Sequence, residues 1–364
     1  MNVRSAGKSR AAGPAMAAAV VLCTVGLLCW PQTVFDGITD GFRLAFLKVI
    51  PAVFPMMVLS SVALYSPASE WLGILCRPFT RALGIREHAA ATVLLLGWLG
   101  GFAVLAQGIA GLLENGKLDR HEAQLLLCAG MNVGPPFIVL TVGHGLLHSE
   151  GMGIQLLFSI YIGNYSAALL LHLLTAKKYL REAAPRRQRE PRQTVQSVPP
   201  QGGFVNAVRS ACNAGCQLCC YIALFSLLCR MARRILPPTA ADLLCAVLEV
   251  TNGVQAVLRR PTGREWLLLA TLLWTGLSIQ MQAKALLPGG ISWKPFYISR
   301  LPALAVGLFC YSQSARWFPP VVSVSTGGVR ISRFPWHIWC TFLLLVLAFL
   351  EECTPKKAFT KQAE

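Results

Sequence analysis

Apolar residues in this chain fall into about eight to ten long blocks separated by short polar stretches, the pattern of helices that cross a hydrocarbon layer of about 30 Å. The blocks run near residues 15–30, 44–65, 89–113, 122–147, 153–176, 205–229, 240–258, 266–287, 294–311 and 335–350. They predict an all-α, polytopic membrane protein. One stretch departs from simple spanning helices. Residues 97–137, GWLGGFAVLAQGIAGLLENGKLDRHEAQLLLCAGMNVGPPF, are interrupted twice by glycine, amide side chains and proline. Where no water can replace a broken backbone hydrogen bond, such interruptions are tolerated only when buried in protein or lining a cavity. Paired broken helices in a membrane protein therefore point to a binding site and to a transporter.

The flanks of the 89–113 block sharpen this. Arg77, Arg81 and Arg86 precede it and Lys117 and Arg120 follow it, so both ends prefer the cytoplasmic side. A re-entrant hairpin turning near Gly100–Gly101 satisfies both. Before it, Pro51 and Pro55 remove two amide donors and predict a kink or opening in the 44–65 helix, with Arg43 and Lys48 read either as interfacial cations or as substrate contacts. Residues 71–83 fit an amphipathic surface helix.

The second half echoes the first. Gly202-Gly-Phe-Val-Asn-Ala207 parallels Asp40-Gly-Phe-Arg-Leu-Ala45, and Gly276 and Gln282, within TGLSIQMQAKALLPGGISW, repeat the spacing of Gly101 and Gln107. Two repeats in inverted orientation are expected, with substrate bound between them near the midplane. The domain reading is a signal-anchor span at 1–39, a first repeat at 40–176, a basic cytoplasmic linker at 177–203, a second repeat at 204–313, and a final span with a polar tail at 314–364.

Composition agrees with the pattern: 54% of the 364 residues are hydrophobic and 13% charged. The net charge of +17 resides mainly at block ends and in the linker, which suits topology and anionic headgroups rather than nucleic acid. Arg230, Arg233 and Arg234 resist this logic, since a simple count of spans places them outside. The thirteen cysteines lie mostly in apolar runs, where they act as small packing residues. His144 and His148 have helical metal-pair spacing but no third ligand nearby in sequence, so no metal and no cofactor are expected. Neither a phosphate-binding loop nor a catalytic motif is present, which argues against direct ATP drive and against an enzyme.

Chemistry concentrates at the breaks. Gln107, Asn132, Gln280 and Gln282 supply amides there, and Gly101 and Gly276 free the backbone. These are the candidate substrate-binding residues, with interhelical hydrogen bonding as the alternative for the amides. Lys284 has two readings, a substrate partner or a headgroup contact. Glu249 lies in the apolar run ADLLCAVLEVTNGVQAVL beside Thr251 and Asn252. A carboxylate at membrane depth is a functional-site hypothesis by default, here ion coupling or gating, although a carboxyl group bonded to a neighbouring helix also fits.

Several of these motifs, in order, carry a resemblance. VIPAVFP, GGFAVLAQG followed by GKLDRHEAQ, NVGPPFIVLTVG, LEVTNG, and TGLSIQMQ followed by KPFYISR are similar to the sporulation integral membrane protein YlbJ family, related to membrane proteins with the nucleoside-recognition (Gate) domain. The chain departs at Gly108-Ile-Ala, where family members often carry a Gly-Tyr-Pro-type turn, and in the reduced asparagine content around Met131-Asn132. The resemblance implies a bacterial transporter that moves the dianion dipicolinic acid from the mother cell across the outer forespore membrane. Nucleosides or other small organic acids are alternative cargo, and a non-transporting membrane scaffold in spore-envelope assembly is the alternative from another class. Expected partners are the anionic substrate, the lipid bilayer, and a homo-oligomer or sporulation membrane proteins.

Overall fold

A computed structural model describes residues 17–183, 203–260 and 264–317, except positions 19, 22, 23, 66 and 67. The expected apolar segment at 335–350, the polar tail and most of the basic linker lie outside the described residues. No strand occurs among those described, and the all-α reading holds.

The first half opens with α1 (Pro31–Leu44), which passes through a π-helical turn (Ala45–Val49) into α2 (Ile50–Tyr65). Together they make one apolar helix over Pro31–Ala63, long enough to cross a membrane. The helix begins 13 residues before the sequence block at 44–65, at a proline in its first turn, a position where the missing amide costs nothing. The expected distortion is present but sits just ahead of Pro51. Pro51 cannot donate to the preceding turn, and the wider π turn absorbs that loss, while Pro55 lies inside α2. Short helices α3 (Ala68–Gly73) and α4 (Arg77–Ala82), joined by a 3-10 turn at Ile74–Cys76, form the surface segment predicted from residues 71–83. Trp71 is 78% exposed there while Cys76 and Leu83 are buried, as an amphipathic layer requires.

Next come α5 (His88–Gly100) and α6 (Phe102–Glu114). A methyl group added at Gly97 would meet Leu105 at 2.7 Å, and one at Gly108 would meet Val93 at 2.7 Å, so the two helices fold back antiparallel. This is the hairpin inferred from the basic flanks, turned at Gly101 with φ of 84°. At 13 residues, about 20 Å, neither arm spans the layer alone. The following block is a broken span: α7 (Arg120–Gly130), a non-helical stretch at residues 131–134, and a π-helix (Pro136–His144). The long α8 (Glu150–Ala183) closes the half.

The second half repeats this order. Helix α9 (Gly203–Ile235) leads to α10 (Pro238–Leu248) and α11 (Val250–Leu258), then α12 (Arg264–Trp274), α13 (Gly276–Leu286) and α14 (Lys294–Trp317). A methyl group at Gly253 would lie 2.6 Å from the Ala246 Cα, so α10 and α11 are a second hairpin, turned at Glu249. The 240–258 block, read in sequence as one apolar run, is this hairpin. Helices α12 and α13 form the second broken span, interrupted at Thr275–Gly276, where φ is 65° and 73°.

Matching elements of the halves pack on each other. Gly37 and Gly41 of α1 lie against Leu227 and Ala223 of α9, while Gly163 of α8 lies against Ala303 and Gly307 of α14. Small residues at such crossings let backbones approach closely where apolar burial alone does not drive helices together. Arg230, whose position conflicts with the charge bias, bonds to Asp40 and to Asp36 (2.9 Å) on α1. Arg233 pairs with Asp242 at 3.5 Å and Arg234 lies over the Trp30 ring. Local partners thus surround all three, although Arg233 Nε and Nη2 make no hydrogen bond.

Each hairpin tip meets the interruption of the broken span that follows it. A methyl group on Gly134 would sit 3.5 Å from the Gly101 backbone, and one on Gly276 would sit 2.8 Å from the Val250 amide nitrogen and 3.1 Å from the Glu249 Cα. Two predictions follow for thermal unfolding in detergent. Gly163→Leu, whose Cβ would enter at 2.5 Å from the Ala303 carbonyl oxygen, should destabilise by about 1–3 kcal/mol, whereas Gly111→Ala, with open space around it, should be neutral or stabilising by up to about 1 kcal/mol. Gly276→Ala should cost about 2 kcal/mol or more, since positive φ and a backbone clash coincide there; an unchanged midpoint would contradict the crossing at Glu249.

Candidate functional site

Interrupting helices exposes carbonyls at one end and amides at the other, and each group needs a partner. Side chains take several of the carbonyls. At the first crossing the Trp98 indole nitrogen donates to the Ala129 oxygen at 3.1 Å, the Tyr161 hydroxyl donates to the Trp98 oxygen, and Asn132 Nδ2 reaches the Gly130 oxygen at 3.4 Å. At the second, the Trp274 indole nitrogen donates to the Val247 oxygen at 2.9 Å, and Gln280 Nε2 donates to the Trp274 oxygen at 3.0 Å. The arrangement recurs: an indole from one interrupted element holds the last turn of the other, and its ring stacks on a tyrosine of the closing long helix. Trp98 stacks on Tyr161 of α8 at 5.5 Å, and Trp274 on Tyr297 of α14 at 6.0 Å.

Arg300 of α14 joins the two crossings. Its Nη2 donates to the Cys128 oxygen at 2.9 Å and its Nη1 to the Leu273 oxygen at 3.1 Å, the final turns of α7 and α12. Nη1 also donates to Asn164 Oδ1 of α8 at 2.8 Å, and Asn164 Nδ2 in turn donates to Asn132 Oδ1 in the first break. A cation placed at two helix C-termini is favoured by the negative ends of both dipoles. The residue is only 6% exposed, and its guanidinium stacks over Phe296 at 4.2 Å.

The amide ends are handled differently at the two tips. Glu249, 2% exposed, caps α11: its carboxylate accepts from the Thr251 amide at 2.9 Å and the Asn252 amide at 2.7 Å. Asn252 Nδ2 donates to the same carboxylate at 2.9 Å and to Ser226 Oγ of α9 at 2.7 Å. A carboxylate at a helix N-terminus is held by both hydrogen bonds and dipole. At the matching tip stands Gly101, which has no side chain to offer, and no side-chain cap is present on α6. Helix α13, starting after Thr275, is likewise uncapped. The π-helix evades the problem, because Pro135 and Pro136 have no amide hydrogen there to satisfy. The starts of α6 and α13 therefore present amides to the crossings without a side-chain cap. One buried acceptor, Gln280 Oε1, is without a partner.

The candidates from the sequence are distributed as follows. Glu249, Thr251 and Asn252 are brought together as the second tip. Gly101 and Asn132 meet at the first crossing, and Gly276 and Gln280 lie at the second. Gln107 and Gln282 stand on α6 and α13, which pack side by side, but both amides are engaged: Gln107 Oε1 accepts from Ser210 Oγ of α9 at 3.0 Å, and Gln282 Nε2 donates to Ser278 Oγ at 3.2 Å. The order of elements pairs Gly101 with Glu249 rather than with Gly276, so the spacing echo links positions that are not equivalent in the two halves. Lys284 is exposed, with its ammonium 5.0 Å from the Trp293 ring centre and 5.7 Å from that of Tyr297, the arrangement of an interfacial anchor. His144 pairs with Glu150 at 3.1 Å, and no group of three or more metal-ligating side chains occurs among the described residues. Arg300, Asn164, Trp98 and Trp274 were not singled out from the sequence. An arginine inside an otherwise apolar block is itself the signal for the first of them.

Comparison with known proteins agrees with this architecture. The family described as Gate, nucleoside recognition, matches residues 46–149, which run from the π turn through the first hairpin and first broken span. The chain is 24% identical over 317 residues to the sporulation integral membrane protein YlbJ of Bacillus subtilis (strain 168), covering 76% of each chain. No solved structure matches. The family resemblance carried by the motifs is thereby borne out: this is an all-α integral membrane protein similar to YlbJ over most of its length, with a Gate segment in its first half.

Proposed function

We propose that the chain is a membrane transporter, not an enzyme, and that it moves a small organic anion past the two crossings by alternating exposure. The observation that carries this reading is the recurrence, in both halves, of a hairpin tip set against the interruption of the next span. A scaffold gains nothing from breaking four helical elements at corresponding places, whereas a solute site near the midplane needs open backbone facing it from both halves. The two halves are read as inverted repeats, each providing one hairpin and one broken span.

The uncapped helix starts favour an anion. The α6 and α13 termini, which lack side-chain caps, offer N–H groups and the positive ends of their dipoles. Dipicolinate, a planar dicarboxylate, suits such a site, and the resemblance points to the outer forespore membrane during sporulation. The description of the Gate segment instead favours a nucleoside as cargo, so that class belongs in the same assay. Glu249 is read as the coupling or gating group. Its carboxylate satisfies three donors at once, and protonation would give up acceptor capacity and loosen the tip.

Purified protein in liposomes should take up labelled dipicolinate saturably, with other dicarboxylates competing better than nucleosides. Competition by nucleosides alone would reassign the cargo, and absence of uptake of any tested solute, with folded protein and with proton and sodium gradients applied, would overturn transport. Glu249→Gln places an NH2 group against amide donors, and should reduce uptake at least about tenfold while the protein remains inserted and folded, in keeping with loss of a charged hydrogen-bond acceptor. Normal uptake by that variant would remove Glu249 from the mechanism.

A further inference from the structure

Arg300 is held by neutral acceptors and by the negative ends of two helix dipoles, with no carboxylate as counter-charge. Its three acceptors are all neutral: the Cys128 and Leu273 carbonyls and the Asn164 amide oxygen. The ion pairs among the described residues are His144–Glu150, Arg230 with Asp36 and Asp40, and Arg233–Asp242; no carboxylate pairs with Arg300. Its Nε is buried without an acceptor. A full positive charge buried in a membrane protein with a donor unused is expensive, and such groups mark substrate pathways. Its place is also specific. Both Nη atoms reach the last turns before the two interruptions, and through Asn164 and Asn132 the guanidinium connects to the break that faces Gly101.

The two tips show what is missing. At the second, a carboxylate belonging to the chain, Glu249, occupies the N-terminus of α11. At the first, the equivalent position is Gly101, and α6 starts uncapped. One crossing therefore carries its own anion, while the other presents bare amides and is linked by hydrogen bonds to an unneutralised guanidinium.

We propose that Arg300 is the anion-selecting residue of the transporter: a substrate carboxylate binds at the first crossing, against the uncapped start of α6, and draws its counter-charge from the Arg300 guanidinium. This rests on the transport reading and narrows it to carboxylate-bearing cargo. The asparagines position the guanidinium, and the carboxylate supplies the counter-charge that its neutral acceptors do not. A neutral solute of the same shape leaves the charge uncompensated and is rejected for that reason.

The test is equilibrium binding to purified, detergent-solubilised protein, with uptake into liposomes measured in parallel. The probes are dipicolinate, picolinate with one carboxylate, the uncharged dipicolinic diamide, and uridine. Wild-type affinity should fall with each carboxylate removed, and the diamide and uridine should bind at least roughly thirtyfold more weakly than dipicolinate, the low end for losing one partner of a buried charge pair. Arg300→Gln should lose dipicolinate binding by a similar factor and flatten the charge series, and Arg300→Lys, which keeps charge but not the fork, should fall between. The wild-type series stands alone should Arg300→Gln fail to fold. Equal affinity of the wild type for dipicolinate and its diamide, or full dipicolinate affinity in folded Arg300→Gln, would overturn the assignment while leaving transport intact. Arg300-dependent carboxylate binding without uptake would support the assignment and instead overturn the transport reading.

Discussion

Peptide groups set free inside an apolar layer have no water to turn to, and the described residues free them at four interruptions, two in hairpins and two in spans. Much of the observed architecture answers that demand. Indoles from Trp98 and Trp274 take the carbonyls at Ala129 and Val247, Arg300 takes those at Cys128 and Leu273, and prolines at 135 and 136 remove amides that would otherwise lack acceptors. The long helices follow from the same demand. Helices α8 and α14 present Tyr161, Tyr297, Asn164 and Arg300 to the breaks, and their glycines, Gly163 and Gly307, let them approach closely enough to do so.

Helix starts left without side-chain caps give the crossings a sign. The helix termini at α6 and α13 and the Arg300 guanidinium point to negative charge, and Glu249 shows how a carboxylate seats itself on such a terminus. Function in this reading comes from incompleteness. One tip is closed by a residue of the chain, and the other awaits a group from outside. The matched order of elements in the two halves provides the mechanical counterpart, since two similar units that share one interface can exchange which side is open.

Much of this was legible in the residues. Apolar blocks marked the helices, a double glycine with basic flanks on both sides marked the first hairpin, and Asn-Val-Gly-Pro-Pro and Thr-Gly marked the broken spans. The second hairpin was harder, because its turn is made by Glu249 in extended conformation with neither glycine nor proline at the tip, so 240–258 reads as one apolar run. The repeat was visible, but its register was not. Equal Gly-to-Gln spacing matched Gly101 with Gly276, while chain order matches Gly101 with Glu249, two residues with no side-chain chemistry in common. Contacts such as Gln107 with Ser210, or Arg300 with Cys128, join residues more than a hundred positions apart, and no local pattern encodes them. The π turn at Ala45–Val49 lies between these cases: the prolines announce a distortion, and only packing decides on which side of Pro51 it falls.

The most direct test of the central claim is an experimentally determined structure of the protein with dipicolinate bound, at a resolution that places the ligand. The account predicts ligand density at the first crossing, between the Gly101 tip and the break at residues 131–134, with a carboxylate directed to the start of α6 and Arg300 within hydrogen-bond reach. Density elsewhere, with both crossings closed and Arg300 unchanged, would contradict it.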